Sequence, residues 1–123
     1  MTKDIKEKTK SISDVIINGI QEKKGHDIVR LDLRNLKSSV SDYFIICHAE
    51  SANQVKAIAD SVEHEMTLHF NEDPWRKEGF STAEWIVLDY FDVVVHIFKK
   101  DKRQFYGVEE LWGDAEIKNY KSA

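Results

Sequence analysis

The stretch that decides the fold is Trp85-Ile-Val-Leu-Asp-Tyr-Phe-Asp-Val-Val-Val-His-Ile-Phe98. Its two runs, residues 85–88 and 93–98, are rich in β-branched and aromatic side chains, which favour strands. A short acidic link, residues 89–92, separates the runs, so the pattern predicts a β-hairpin. The second run is almost continuously apolar, and such a strand is usually covered on both faces. A sheet covered on both faces requires helices.

Two segments before the hairpin have the pattern of those helices. Residues 11–24 carry apolar side chains at helical spacing, with a solvated opposite face. Residues 51–70 begin with Ser51-Ala-Asn-Gln54, a capping box in which serine and glutamine side chains bond to exposed backbone amides. A third, shorter helix is expected from Phe105 to Gly113.

Strand patterns lie between the two longer helices. Residues 27–34 alternate apolar and charged side chains, which predicts a strand near a sheet edge with one solvated face. Residues 43–47 are five consecutive apolar residues and predict a central strand. A short edge strand is expected around Trp75. The order of elements predicts one compact α/β domain, with a mixed sheet of about five strands and helices packed on it.

Composition limits the possible classes of protein. The chain has 123 residues, 22 acidic against 18 basic, and a net charge of −4. An acidic chain is a poor match for a broad phosphate-backbone footprint, so little direct RNA contact is expected. The single cysteine, Cys47, excludes an intramolecular disulfide and fits a reducing compartment. No apolar run reaches the ~18 residues of a membrane span, so we expect a cytoplasmic protein without a membrane partner.

Three carboxylates near predicted strand ends are the most suggestive chemical feature. Asp42, Asp89 and Asp92, with His96 nearby, could hold a divalent ion or perform acid–base work. Aspartates beside a hairpin turn also bond to local backbone, which favours a structural role. The chain has no Gly-rich phosphate loop. A binding surface is therefore favoured over catalysis, and no metal site or cofactor is expected.

The aromatic residues are too numerous for a small core to enclose all of them. The set consists of Trp75, Trp85, Trp112, Tyr43, Tyr90, Phe105 and Tyr106. Aromatic side chains exposed on a rigid sheet commonly anchor protein interfaces. The alternative is that each of these side chains is buried in the core.

Five motifs resemble a known family. They are Ser41-Asp-Tyr-Phe-Ile-Ile-Cys47, Gln54-Val-Lys-Ala-Ile-Ala-Asp60, Ala83-Glu-Trp-Ile-Val-Leu-Asp-Tyr90, Asp92-Val-Val-Val-His-Ile-Phe98 and Leu111-Trp-Gly-Asp114. In this order and spacing they resemble the ribosomal silencing factors, also called the Iojap-like family. The resemblance implies a family domain over residues 11–114. Residues 1–10 and 115–123 are polar and are expected to be a flexible segment and a flexible tail.

The resemblance implies a binding protein and not an enzyme. Such proteins bind the large ribosomal subunit through ribosomal protein fourteen at the subunit-joining face, and so repress translation when nutrients are short. Organellar relatives act in large-subunit assembly. The fold implied is nucleotidyltransferase-like, without the catalytic elements of the active enzymes. A residual metal-dependent nucleotidyl or phosphoryl transfer enzyme stays open as the alternative, and a homodimer is also left open.

The predicted partner surface lies around the hairpin. Its members are Asp42, Tyr43, Trp85, Asp89, Tyr90, Phe91 and Asp92. The family usually has glycine where this chain has Phe91. If this position needs a positive φ, phenylalanine costs on the order of 1 kcal/mol, so a wider turn is one expectation. Phe91 is expected to be exposed at the hairpin tip.

Overall fold

The architecture is a mixed six-stranded sheet with two long helices on one face and two short helices on the other. A computed structural model describes the backbone of residues 2–37 and 41–122, and side chains from residue 12 onward within those ranges. The elements are α1 (Thr2–Glu22), β1 (His26–Asp32), β2 (Tyr43–Ala49), α2 (Ala52–Phe70), β3 (Arg76–Glu78), β4 (Trp85–Asp89), β5 (Val93–Lys99), α3 (Lys100–Tyr106), α4 (Val108–Leu111) and β6 (Glu116–Tyr120). The strand order is β3-β4-β5-β2-β1-β6, and the β2–β5 pair is parallel while the other pairs are antiparallel.

The predicted hairpin is confirmed and lies near the middle of the sheet. Strands β4 and β5 pair antiparallel, with Trp85 opposite Phe98 and Asp89 opposite Val94. Residues 93–98 are all buried, as the continuous apolar run predicted. Burial on both faces follows because β5 lies between β4 and β2, with helices above and below.

Helices α1 and α2 cover one face, which we call the helix face. Ile16, Ile20 and Ile58 are fully buried there against alternate side chains of the strands. The two helices approach closely at Gly19, where an added Cβ would lie 3.1 Å from the Cα of Val62. A larger residue here would push the two helix backbones apart by a few tenths of an ångström, so glycine is favoured at this crossing by space.

The ends of α2 confirm the predicted capping. The Ser51 side chain accepts a hydrogen bond from the Gln54 amide, and Gln54 Oε1 accepts one from the amide of Glu50. At the other end Asn71 adopts a left-handed conformation, its amide donates to the carbonyl of Thr67, and the amide of Glu72 donates to that of Met66. Both helix ends therefore have partners for backbone groups that the helix itself leaves unpaired.

The opposite face, which we call the open face, is covered by α3 and α4. Beneath them Leu31, Ile46 and Phe98 are buried, and Val108 of α4 packs against this cluster. Arg103 of α3 holds the helices in place. Its guanidinium donates to the carbonyl of Asp27 (2.7 Å), contacts His48 Nδ1 (2.9 Å) and forms two bonds with the Glu109 carboxylate (2.8 and 3.2 Å).

The structure corrects two expectations about the ends of the chain, the unstructured tail and the start of the first helix. The predicted mixed sheet of about five strands is confirmed with six, and the sixth is Glu116–Tyr120, which lies in the segment predicted to be a flexible tail and pairs with β1. Four of the five residues of β6 are exposed, so no apolar pattern marked this strand. Helix α1 begins at Thr2 and not at residue 11. Met1 and Ala123 lie outside the described residues.

Strand β1 lies near a sheet edge, as predicted, with only β6 outside it. It pairs with β2 on one side and β6 on the other. Its predicted apolar side, Val29, Leu31 and Leu33, packs on the open face. The other side is only partly solvated, because Ile28 is buried and the Arg30 guanidinium lies 4.4 Å from the centre of the Tyr43 ring.

The single short helix predicted after the hairpin is two helices. Gly107 separates α3 from α4 with a φ of +59°, a conformation that glycine adopts without a steric penalty. The expected edge strand near Trp75 is confirmed as β3. No helix of the described residues is long and apolar enough to cross a membrane.

Candidate functional site

The structure divides the predicted partner surface into two places. Trp85 begins β4, whereas Asp89 ends it, so the two lie about 13 Å apart along the strand. Phe91 and Asp92 form the hairpin tip beyond Asp89, next to Asp42 at the start of β2. The surface is therefore an aromatic cluster at one end of β4 and an acidic tip at the other.

Trp85 is the centre of the aromatic cluster on the open face. Its ring is 5.1 Å from that of Phe98, 4.8 Å from that of Tyr106 and 5.9 Å from that of His96. Phe44 continues the cluster at 4.6 Å from the His96 ring. Trp85 itself is only half-buried, so one part of its indole is held by neighbours and another faces solvent.

His96 fixes the orientation of Trp85. The indole Nε1 donates a hydrogen bond to His96 Nδ1 at 3.1 Å, which places the imidazole proton on Nε2. That Nε2 is buried and has no partner among the described residues. Burial lowers the pKa of His96 to about 4, because a charged ring would lose its hydration. The ring is therefore neutral near pH 7 and remains a hydrogen-bond acceptor for Trp85.

Helices α3 and α4 carry further exposed apolar side chains, of which Tyr106 contacts Trp85. Phe105 is 75% exposed, Tyr106 42% and Leu111 78%. Phe105 packs edge-on against Tyr106 with ring centres 5.1 Å apart. We call Trp85, Phe105, Tyr106 and Leu111 the aromatic surface. Neighbouring exposed rings on rigid elements are typical of protein interfaces.

The hairpin tip is a tight turn with Phe91 at its centre. Phe91 has a φ of +68°, so the position does need the left-handed region and phenylalanine occupies it. The amide of Asp92 donates to the carbonyl of Tyr90 at 2.9 Å, closing a three-residue γ-turn of the strained, positive-φ kind. The turn is therefore not wider, and the Phe91 ring is 59% exposed, as predicted.

The acidic residues at the tip have largely structural contacts. Asp89 Oδ1 accepts a hydrogen bond from the Phe91 amide at 2.9 Å, the local backbone role expected of aspartate in a turn. The carbonyl of Asp92 accepts from the amides of Asp42 and Tyr43, which joins the tip to β2. Burial raises the pKa of the Asp42 carboxyl, and the charge of Asp92 raises it further.

The acidic residues do not form a metal site. No group of three or more His, Cys, Asp or Glu side chains within residues 12–37 and 41–122 could hold a metal ion. Asp42, Asp89 and Asp92 therefore give the enzyme alternative no support as a metal-binding group. Cys47 is fully buried, and burial raises the pKa of its thiol to about 12, so it is a core residue and not a nucleophile near pH 7.

Two of the predicted surface residues are buried. Tyr43 is 5% exposed and Tyr90 6%, and both rings lie in the helix-face core. Strand alternation directs them away from Trp85, which lies on the open face. Their rings can support the surface but do not form it.

Sequence reasoning left two features of the site unassigned. Trp75 packs against Phe91 with ring centres 5.0 Å apart and is 62% exposed, yet the two residues are distant in sequence. The hydrogen bond between His96 and Trp85 was also missed. Once a hairpin is assumed, strand pairing places position 96 opposite Val87, diagonal to Trp85, and this was the available signal.

Comparisons with known proteins agree with the fold. A sequence model of the family "Ribosomal silencing factor during starvation" matches residues 6–123. A Bacillus subtilis protein named ribosomal silencing factor RsfS is 41% identical over 108 residues, covering 88% of this chain and 90% of that protein. The mouse protein named "Mitochondrial assembly of ribosomal large subunit protein 1" is 25% identical over 101 residues, which is 80% of this chain and 44% of that protein.

A solved structure shows the same architecture. A crystal structure of a Chromobacterium violaceum protein superposes with a TM-score of 0.80 at 33% identity, covering 93% of this chain and 94% of that one. The likeness to a nucleotidyltransferase sheet stays a prediction. The match over nearly the whole chain, together with the shared fold, shows that this chain belongs to the family of ribosomal silencing factors.

Proposed function

We propose that this protein binds the large ribosomal subunit through ribosomal protein fourteen and blocks joining of the small subunit, which lowers translation when nutrients are short. It acts by binding in the cytoplasm and not by catalysis. The observation that carries the proposal is the aromatic surface, in which half-buried Trp85 contacts Tyr106, Tyr106 contacts exposed Phe105, and Leu111 of the next helix is also exposed.

The aromatic surface has the properties of an interface anchor. Trp85 is held by His96 and packed between Phe98 and Tyr106, so little side-chain entropy remains to be lost when a partner binds. Tryptophan and tyrosine contribute disproportionately to binding energy at interfaces. Because α3 is clamped to the sheet by Arg103, the surface is already formed in the free protein.

Charge favours a protein partner over RNA. The chain carries −4, and the acidic residues Asp42, Asp89 and Asp92 of the predicted surface lie at the far end of β4. Carboxylates repel rRNA but guide approach to a basic ribosomal protein. We infer that the acidic tip contributes to the rate and register of association and that Trp85 contributes most of the affinity.

Co-sedimentation with isolated large subunits tests the proposal. Wild-type protein is expected to sediment with large subunits and, in excess, to reduce the fraction of joined ribosomes. Trp85→Ala is expected to weaken binding about thirtyfold, the effect of losing about 2 kcal/mol at a hot spot. The matched control is Leu68→Ala, which removes a 68% exposed side chain from α2.

Trp85→Phe separates binding from folding, since it keeps an aromatic ring over Phe98 but removes the indole donor. Loss of sedimentation for Trp85→Ala while Trp85→Phe retains part of it supports the anchor role. Equal binding by wild type and Trp85→Ala would remove Trp85 from the interface. Absence of any sedimentation would contradict the function itself. Light scattering of the free chain would show whether it forms the homodimer left open by the sequence.

We also propose a contribution to large-subunit biogenesis. The support is the mouse relative, whose name assigns it to assembly of the mitochondrial large subunit. Depletion of this protein in its own cells is expected to raise the ratio of precursor to mature large subunits. If this ratio is unchanged although the protein represses translation, the contribution to biogenesis is contradicted.

A further inference from the structure

Strand β6 is the outermost strand on one side of the sheet, and no strand of the described residues pairs with its outer edge. Four of its five residues are exposed, and Ile117 in the strand is 51% exposed. An exposed strand edge presents backbone amides and carbonyls to which another strand can pair. The outer edge of β6 is therefore a surface that a further strand can bind.

The backbone amide and carbonyl of Ile117 face away from the sheet. The Leu33 amide donates to the Asp42 carbonyl at 2.8 Å, so between residues 29 and 33 the odd-numbered residues of β1 bond to β2 and the even-numbered residues face β6. Even-numbered residues of β6 lie opposite even-numbered residues of β1 and therefore face it. The backbone groups of Ile117 are left at the outer edge.

The charges of β6 do not match those of β1. Lys118 lies opposite Arg30, and Glu116 lies opposite Asp32. Like charges directly opposite each other on neighbouring strands are destabilising. Asp32 already binds the Arg34 guanidinium through two hydrogen bonds of 2.9 and 2.7 Å. The pairing of β6 with β1 therefore gives no reason for the charges at positions 116 and 118.

We propose that β6 pairs antiparallel with β6 of a second copy of this chain, with Ile117 on the two-fold axis. In this register Glu116 of each copy lies opposite Lys118 of the other, and the exposed Ile117 side chains meet. A register centred on residue 116 or 118 would instead place like charges opposite each other. The outward amide and carbonyl of Ile117 bond to those of Ile117 of the partner subunit in both directions.

The proposed dimer does not use Trp85. Strands β5, β2 and β1 lie between β4, which carries Trp85, and β6. The inference does not rest on ribosome binding, because the free protein suffices to test it. Failure of the dimer would leave the proposed function standing, and failure of the function would leave the dimer standing.

The test is sedimentation equilibrium of the full-length protein over a range of concentrations. Wild type is expected to show a monomer–dimer equilibrium. Glu116→Lys and Lys118→Glu should each weaken the dimer about tenfold, because every cross-strand ion pair becomes a contact of like charges. The matched control is Lys56→Glu, the same change of charge at an exposed position of α2, which should leave the dimer unchanged.

Mixing the two variants makes the test specific for this register. In a dimer of one Glu116→Lys chain and one Lys118→Glu chain, each cross-strand contact again joins opposite charges. The equimolar mixture should therefore dimerise about as strongly as wild type, although neither variant does so alone. Ile117→Pro removes the outward amide without removing a bond to β1, so it should weaken the dimer and retain the fold.

Thermal melts separate this role from a structural one. They are made at a concentration at which wild type is monomeric, because dimerisation itself raises the melting temperature. Both charge reversals should melt no lower than wild type, since they place opposite charges across from Arg30 and Asp32. Lower melting temperatures for both would show that these charges stabilise the monomer and would contradict the proposal.

Four results of the other measurements would overturn the proposal. They are a wild type that is monomeric at every concentration, a dimer that neither charge reversal weakens, a mixture of the two variants that stays monomeric, and protection of the Ile117 amide from hydrogen exchange only when large subunits are present. The second would place the contact between copies elsewhere on the chain. The fourth would assign the edge of β6 to a ribosomal component.

Discussion

The two faces of the sheet differ in how they are covered. On the helix face, α1 and α2 have 21 and 19 residues, and from residue 12 onward their apolar stripes are almost completely buried. On the open face, α3 and α4 of 7 and 4 residues bury only Val108 and leave Phe105 and Leu111 in solvent. Helices this short cannot cover a sheet that is six strands wide.

The residues that stabilise the fold therefore lie mainly on one face of the sheet, and those that we expect to bind the partner lie on the other. The helix face has the continuous close packing that opposes unfolding. The open face keeps a formed aromatic surface because Arg103 and the Trp85–His96 hydrogen bond hold it in place. Substitutions on the helix face should therefore change the free energy of unfolding, and those on the open face should change binding.

The largest effect is expected from Ile58→Ala in α2. Ile58 is fully buried in the helix-face core, and its truncation leaves a cavity. We expect the free energy of unfolding to fall by about 2–5 kcal/mol in urea titrations. Binding of the folded fraction to large subunits should stay unchanged. A loss below about 1 kcal/mol would show that the helix face repacks easily, against the comparison drawn here.

An intermediate effect on the free energy of unfolding is expected when the pH is lowered. The pKa of His96 is about 4 in the folded protein and 6.5 in the unfolded chain, so the unfolded state binds the proton first as pH falls. The resulting loss of free energy of unfolding is absent above pH 6.5, grows as the pH falls towards 4 and is complete below pH 4. Between pH 7 and pH 4.5 this histidine should cost about 2–3 kcal/mol.

His96→Phe isolates that contribution from other acid-sensitive groups. The variant keeps an aromatic ring beside Phe44 and keeps His48, whose pKa is lowered by burial and by Arg103. Urea titrations at both pH values should show a smaller acid loss for His96→Phe than for wild type. Equal losses of free energy of unfolding in the variant and the wild type would mean that protonation of His96 does not cause the destabilisation by acid.

The smallest effect is expected at the hairpin tip and has the opposite sign. Phe91→Gly should raise the free energy of unfolding by about 0.5 kcal/mol, because relief of the left-handed strain is partly offset by loss of the Trp75 contact. Lys24→Gly is the matched control, because Lys24 also has a positive φ, +59°, and its side chain is exposed. This substitution should raise the free energy of unfolding by about 1 kcal/mol. Thermal melts measure both. Destabilisation by Phe91→Gly alone would show that the ring contact outweighs the strain.

Local patterns predicted most of the fold. The apolar run of β5, the stripe of α1 and the capping box of α2 each depend on neighbours in sequence, and each is confirmed. Strand β6 was missed because its pairing is made by backbone groups, which every residue carries. Strand β1 lies near the edge, as its alternation predicted, and only β6 lies outside it.

The candidate site was only partly predictable for the same reason. Trp85 and Phe91 were identified as candidate contact residues, and Phe91 is exposed as predicted. The burial of Tyr43 and Tyr90 depends on which face of the sheet the long helices cover, a choice that strand alternation alone does not make. Whether these residues bind the partner stays a prediction.

The sequence by itself determined the hairpin, the two long helices, the acidic balance and the family to which the chain belongs. All of these depend on the order of side chains along the chain. The tertiary structure alone decided the contact of Trp75 with Phe91, the bond between Trp85 and His96, and the clamp made by Arg103. These contacts join residues from different elements, and their geometry is set by sheet register and helix packing.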